Sequence, residues 1–204
     1  GGLLNKNGTS SDSGATYNLS ASDNWLSGAA ASVDIRDASG NGITVSNVSP
    51  ATLSSAAYNA ASGVLTVTGT NFVKENGSNN DIDVSKLSIT GEGGSSYTLT
   101  SSDVEVASRT TFSVTLNAAD HFNVGGLLNK NGTSSDGGTT YNLAAADNWL
   151  AGAAASDDIS DASGNGITVS NVAKPTLSST AYNAASGVLT VTGTNFVKEN
   201  GSNN

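Results

Sequence analysis

The sequence predicts an all-β chain built from β-sandwich units in tandem, and three observations lead there. The first is a repeat. Shifted by 124 residues, Gly1 falls on Gly125 and Asn80 on Asn204 without a gap, and AYNAASGVLTVTGTNFVKENGSNN stands unchanged at 57–80 and 181–204. A unit of 124 residues is the size of a domain with its own core, whereas solenoid repeats run roughly 20 to 50 residues. The second is composition. Gly, Ser, Thr, Asn and Ala dominate, only 5% of residues are aromatic and 12% charged, and such a mix suits short strands joined by many turns. The third is alternation, clearest where Phe112, Val114 and Leu116 interleave with Thr111, Ser113 and Thr115, giving one apolar and one hydroxyl-bearing face.

Taken in order, the chain divides at its two proline-bearing stretches, Ser46–Ala51 and Ser170–Pro175, where the copies differ most densely and proline favours an extended linker. The expected units are the C-terminal part of a repeat (1–48), a complete repeat (49–172) and the N-terminal part of the next (173–204). Within the complete repeat, Leu53 marks a first strand. Further strands are expected at Leu65/Val67, Leu87/Ile89, Tyr97/Leu99, Val104/Val106, Phe112–Leu116, Tyr141/Leu143 and Ile167/Val169. Gly91–Glu92–Gly93–Gly94 reads as a hairpin loop. Two segments break the alternation, 117–124 with Asn117 as N-cap and 144–150. Both are read as short helical crossovers.

Charge and composition exclude several functions. The formal net charge is −9, and the eight Lys and Arg are scattered, so no clustered cations await nucleic-acid phosphates. Divalent cations suit the surplus carboxylates better. Without Cys or Met there is neither a disulfide frame nor a thiolate metal site, which fits an exported protein. No run approaches the roughly 20 apolar residues of a membrane span, and residues 1–30 lack the pattern of a signal peptide. Because the sequence opens inside a repeat, any targeting signal is expected outside it.

Thr68–Gly69–Thr70–Asn71–Phe72, after a strand and a proline-containing start, resembles the Gly-Thr-Asn-Phe type motif of immunoglobulin-like IPT/TIG and related bacterial domains. LLNKNGTSS, YNLAAADNW and SGNGITVSN also look like the tandem repeats of very large bacterial surface proteins and adhesins. The resemblance implies an immunoglobulin-like Greek-key sandwich in an extracellular stalk, often calcium-stiffened. It carries over no catalytic residue. The paired cysteines of antibody-type domains and the glycine-rich nonapeptide of haemolysin-type calcium repeats are both absent.

The strongest candidate site is Asp161–Ala162–Ser163–Gly164–Asn165–Gly166 and its copy Asp37–Ala38–Ser39–Gly40–Asn41–Gly42. Oxygen-bearing side chains at alternate positions before a glycine match the first half of a calcium loop. The closing Glu is missing, since Val172 and Val48 stand there, so Asp157 and Asp158, or Asp34, would have to complete the shell. The metal candidates are therefore Asp34, Asp37, Ser39, Asn41, Asp157, Asp158, Asp161, Ser163 and Asn165. Val33 and Arg36 in place of Asp157 and Ser160 should weaken the first copy. The competing reading is a turn whose Asp and Asn bond their own backbone. Asn79, Asn80, Asp81 and Asp83 form a second acidic cluster, which reads first as a solvated loop, with another calcium loop as the alternative.

His121, the one histidine, has no nucleophile motif to serve, and no spacing of carboxylates or glycines points to an active site, so no enzyme is expected. Trp25 and Trp149 read as core plugs rather than sugar-stacking platforms. Sequons at Asn7, Asn18, Asn76, Asn131 and Asn200 read as turn and strand residues. The expected role is a structural spacer at the bacterial cell surface, with neighbouring repeats as its first partners. The rivals are a multivalent glycan-binding repeat and a self-assembling subunit of a filament, sheath or surface layer.

Overall fold

A computed structural model describes residues 2–75 and 77–198. The sequons at Asn76 and Asn200 and the last residues of the second identical stretch lie outside the described residues. The chain is all-β in character, with one α-helix among the described residues.

Eight strands form one curled sheet: β1 (Thr52–Asn59), β2 (Val64–Thr70), β3 (Leu87–Thr90), β4 (Ser96–Thr98), β5 (Val106–Ser108), β6 (Thr111–Thr115), β7 (Asn142–Ala145) and β8 (Gly166–Ser170). Their order across the sheet is β4-β3-β7-β8-β1-β2-β6-β5. Every neighbouring pair is antiparallel except β1 and β8, which run parallel with Ser55 opposite Gly166 and Asn59 opposite Ser170. Each strand grows from the alternation seen in the sequence. Leu65 and Val67 of β2, Leu87 and Ile89 of β3, and Phe112 and Val114 of β6 are fully buried on one face, while the hydroxyl-bearing neighbours lie on the other. On that outer face Thr66 and Ser113 bond across β2 and β6 at 3.0 Å.

The curl carries the core inside the sheet. Trp149, wholly buried, meets Phe72 edge-on at 5.5 Å and Phe112 at 6.1 Å, with its Nε1–H donating to the Ile159 carbonyl at 2.7 Å. Residues 81–83 then bridge across the curl. Ile82 N–H donates to Val104 O on the β5 side, while Asp83 N–H and Ala151 N–H close a ladder with Trp149 and Asp81 on the β7 side. Asp81 is buried within this clasp, and its carboxylate accepts the N–H groups of Glu75 and Val106.

At one point the sheet demands glycine. A β-bulge between Leu53 and Ser55 of β1 faces Gly69, where a Cβ would stand 2.1 Å from the Thr52 carbonyl oxygen and 2.5 Å from the Phe72 ring.

The helix α1 (Ala118–Leu127) crosses from β6 to β7, and Asn117 caps it by accepting Asp120 N–H at 2.8 Å. It runs past the expected 117–124 because Val124 and Leu127 are buried and hold its last turn against the sheet. The second expected helix, at 144–150, is not one. Leu143 and Ala145 are buried alternately and β7 pairs with β3, so cross-strand burial outweighs the helix propensity of three alanines. The Gly91–Gly94 loop does join a hairpin, β3 to β4, through a short 3-10 turn at Glu92–Gly94.

The flanking segments contain the same local structure without the cover. Residues 2–48 hold bridges such as Gly8–Val45, Asn18–Gly42 and Ala21–Asp37, each matched 124 residues on by Gly132–Val169, Asn142–Gly166 and Ala145–Asp161. At the other end β9 (Thr176–Asn183) and β10 (Val188–Thr194) form a separate two-stranded hairpin with the register of β1 and β2, bulge included.

Candidate functional site

The loop 157–165 is built by a tight turn, with Gly164 at φ +89°, and Asp158 and Asp161 accept hydrogen bonds from neighbouring groups. Asp161 accepts Leu53 N–H through Oδ2 at 3.0 Å and the Asn165 side-chain amide through Oδ1 at 2.8 Å. This fastens the loop before β8 to the start of β1. Asn165 is buried and donates also to Leu143 O, while its own N–H is held by Asn142 Oδ1 at 3.2 Å. Asp158, exposed, accepts Ser160 N–H at 2.9 Å, and the hydrogen bonds from Ser160 hold its carboxyl below the ordinary range. Asp157 is joined to the turn by its backbone N–H to Ala154 O, and Ser163 lies exposed.

The first copy repeats this arrangement where it can. Asp34 Oδ1 accepts Arg36 N–H at 3.0 Å, Asn41 Nδ2 donates to Leu19 O at 3.1 Å, and Asp37 and Ser39 are exposed. The structure thus joins Asp161 to Asn165. Among the described residues, no three carboxylate or imidazole side chains gather as a metal-holding group.

The second acidic cluster is spent on caps. Asp83 caps the short 3-10 turn Val84–Lys86, Asp81 holds the clasp, and Glu105 pairs with Lys74 at 2.7 Å while accepting Asn80 N–H. His121 packs edge-on against Tyr58 at 6.4 Å and bonds the Ala60 carbonyl through Nε2 at 2.7 Å, a structural cap on the β1–β2 turn. The Tyr58 hydroxyl nearby is buried and unpaired, and burial drives its pKa up. Trp149 is core, so its own ring faces are closed to a sugar.

Sequence reasoning missed the polar centre of the repeat. The buried carboxylate of Asp120 accepts from Tyr97 OH (3.0 Å), Thr100 N–H (2.8 Å), Thr100 Oγ1 (2.7 Å), Ser101 N–H (2.7 Å) and the Ser101 hydroxyl, pinning α1 to the loop after β4. Burial works to raise its pKa, but the hydroxyl and amide donors overcome this and hold it below 3.8. The available signal was the Thr100–Ser101 pair of donors together with an Asp three residues past an N-cap.

Two interfaces between successive units complete the candidate sites. Asn5 Nδ2 donates to Gly152 O at 3.2 Å, and Ala155 N–H donates to Asp12, which is also ion-paired with Lys6 at 3.3 Å. A cleft of about 990 Å³ lies beside them, lined by Leu4, Tyr17, Glu75 and Ala153 among others. At the other junction Phe196 and Val197 face Ala60, His121, Phe122 and Leu128 across a cleft of about 440 Å³.

No family model, curated protein or solved structure matches this chain. No helix among the described residues is long and apolar enough to cross a membrane.

Proposed function

We propose that this chain is a spacer: a run of immunoglobulin-like repeats of a bacterial surface protein that stack end to end and hold a distal part at a distance. The observation that carries this reading is the parallel pairing of β1 with β8. Parallel first and last strands put the entry and the exit of a repeat at opposite ends of its sheet. An antiparallel pair would return the chain to its starting end, and added repeats would pile up instead of extending. The eight residues of β1 alone span about 26 Å at the usual strand rise. Hydrogen bonds at the junction of 2–48 with 152–155 support stacking over loose tethering. The experiment is the distance distribution between spin labels on 2–48 and on 49–172, which is expected to be narrow. The chain's lack of cysteine makes site-directed labelling clean.

Extracellular placement and the adhesin family belong to the same proposal and rest on the sequence resemblance. Calcium is a separate element of it, and the geometry weighs toward the turn role, since Asp161 already serves Leu53 and Asn165. Thermal unfolding with millimolar calcium and then with chelator decides between them. The account expects a Tm change within about 1 °C, because one exposed carboxylate loop binds calcium weakly. A rise of several degrees that is lost in Asp158→Ala with Asp161→Ala would instead establish a calcium-stiffened array.

A further inference from the structure

Asparagines gather around the two linkers, at places where a left-handed backbone and a side-chain amide are both used. Asn47 and Asn171, where the linkers begin, take φ of +60° and +59°. Asn71 and Asn195, just past β2 and β10, take +57° and +58°. Asparagine adopts this backbone more readily than most residues other than glycine. Asn7 and Asn131 complete the set, each lying 41 residues before the linker valine that it serves.

Each linker is held on both sides by these amides. On the upstream side Asn7 Oδ1 accepts Val48 N–H at 3.0 Å, and Asn131 Oδ1 accepts Val172 N–H at 2.9 Å. These bonds prolong the bridges Gly8–Val45 and Gly132–Val169. On the downstream side Asn71 Nδ2 donates to Pro50 O at 3.0 Å, and Asn195 Nδ2 donates to Lys174 O at 3.1 Å. These prolong the pairings of Thr52 with Thr70 and of Thr176 with Thr194. Between the held residues stand Ser49 in the first linker and Ala173 in the second, and the proline further narrows the backbone of Ser49 or of Lys174 before it. All four bonds reach backbone atoms of the linker. That accounts for the changes Ser49/Ala173, Pro50/Lys174 and Ala51/Pro175, in which even the proline moves by one position while both bonds persist.

We propose that Asn7 and Asn131 as acceptors, and Asn71 and Asn195 as donors, are the positioning residues of the junctions, a two-sided amide clamp that fixes the direction in which one repeat leaves the last. The clamp takes its purpose from the spacer reading, and it uses neither Asn5 nor Asp12. Its two halves differ in chemistry. The upstream half needs an oxygen that accepts, and the downstream half needs an N–H that donates. Without it the linker is a short exposed tether whose backbone keeps its conformational entropy, and only surface contacts orient the repeats.

Two measurements on the full chain test it: amide hydrogen exchange, and the distance distribution between spin labels at Thr44→Cys and Thr115→Cys, both exposed and on either side of the first linker. In the parent, the Val48 and Val172 N–H groups should exchange about tenfold more slowly than free amides, and the distribution should be narrow. Asn7→Asp keeps an acceptor, so Val48 protection and the narrow distribution should survive, whereas Asn7→Ala should lose both. Asn71→Asp tolerates the left-handed backbone but cannot donate to Pro50, and Asn71→Gly keeps the backbone without the amide, so both should broaden the distribution. Neither Asn7 nor Asn71 belongs to the buried core, so Tm should move by less than about 4 °C in each variant. Unprotected linker amides in the parent, Asn7→Asp behaving like Asn7→Ala, or a distribution that stays narrow in both Asn71 variants would each overturn the clamp. Small-angle scattering separates this from the spacer reading. A folded-back chain with protected linker amides contradicts the spacer and keeps the clamp, and an extended chain with freely exchanging ones does the reverse.

Discussion

Replacing Asp120 with Ala is expected to destabilise the complete repeat by about 3–5 kcal/mol, read from the midpoint of urea unfolding. The side chain is fully buried and receives donors from Tyr97, Thr100 and Ser101. Truncation leaves several buried N–H and O–H groups without an acceptor, and such orphaned donors cost about 1–3 kcal/mol each when neutral and more in a charged network. Asp120→Asn keeps the shape but turns one acceptor into a donor facing other donors, so it should fall close to the Ala variant. The pH dependence follows in sign. The folded-state pKa of Asp120 is lowered from 3.8, so its contribution is fully present above the unfolded value and is lost as pH falls through the folded one. Stability should therefore drop below about pH 4 in the parent, and by less in Asp120→Asn. Equal acid sensitivity in both proteins would show that this carboxylate is not the one being titrated.

The second large effect sets two identical residues against each other. Trp149→Ala should cost about 3–5 kcal/mol, the usual range for emptying a buried aromatic site, because Phe72 and Phe112 lose the ring that spans them. Trp25→Ala should change unfolding of the complete repeat by less than about 0.5 kcal/mol, since Trp25 is 61% exposed. The two residues share sequence neighbours and the same indole hydrogen bond to a carbonyl ten residues on. Comparable losses would mean that residues 2–48 are covered by a core in solution.

That pair also marks what the sequence could and could not reveal. Strands β1–β3 and β6–β8 were legible because each has one face toward the core, and alternation such as Phe112–Val114–Leu116 records that directly. The N-cap at Asn117 was legible for a similarly local reason. Burial of Trp149 and exposure of Trp25 were not, since the two near-identical stretches differ chiefly in what lies over them. The failed helix at 144–150 shows the same limit: three alanines favour helix, and the pairing with β3 that overrides them comes from residues more than fifty positions away. The parallel contact of β1 with β8 joins residues 111 apart in sequence, Ser55 and Gly166, and nothing in either strand announces the partner. The loop aspartates stood out in the sequence as oxygen-bearing residues at alternate positions before a glycine. Their visible work, such as Asp161 fastening Leu53, lies in a tertiary bond that spacing alone could not reveal.

The central claim is that successive repeats meet end to end through direct contacts, with Asn5 and Asp12 of one unit on Gly152–Ala155 of the next. The most direct measurement is pulsed electron spin resonance on Ser39→Cys paired with Lys86→Cys, both exposed positions on either side of that junction. The account predicts a single narrow distance distribution that is unchanged by calcium or chelator, and that broadens when Asn5 and Asp12 are both replaced by Ala. A broad distribution in the parent labelled chain, as wide as in the double variant, would contradict it and reduce the junction to a flexible tether.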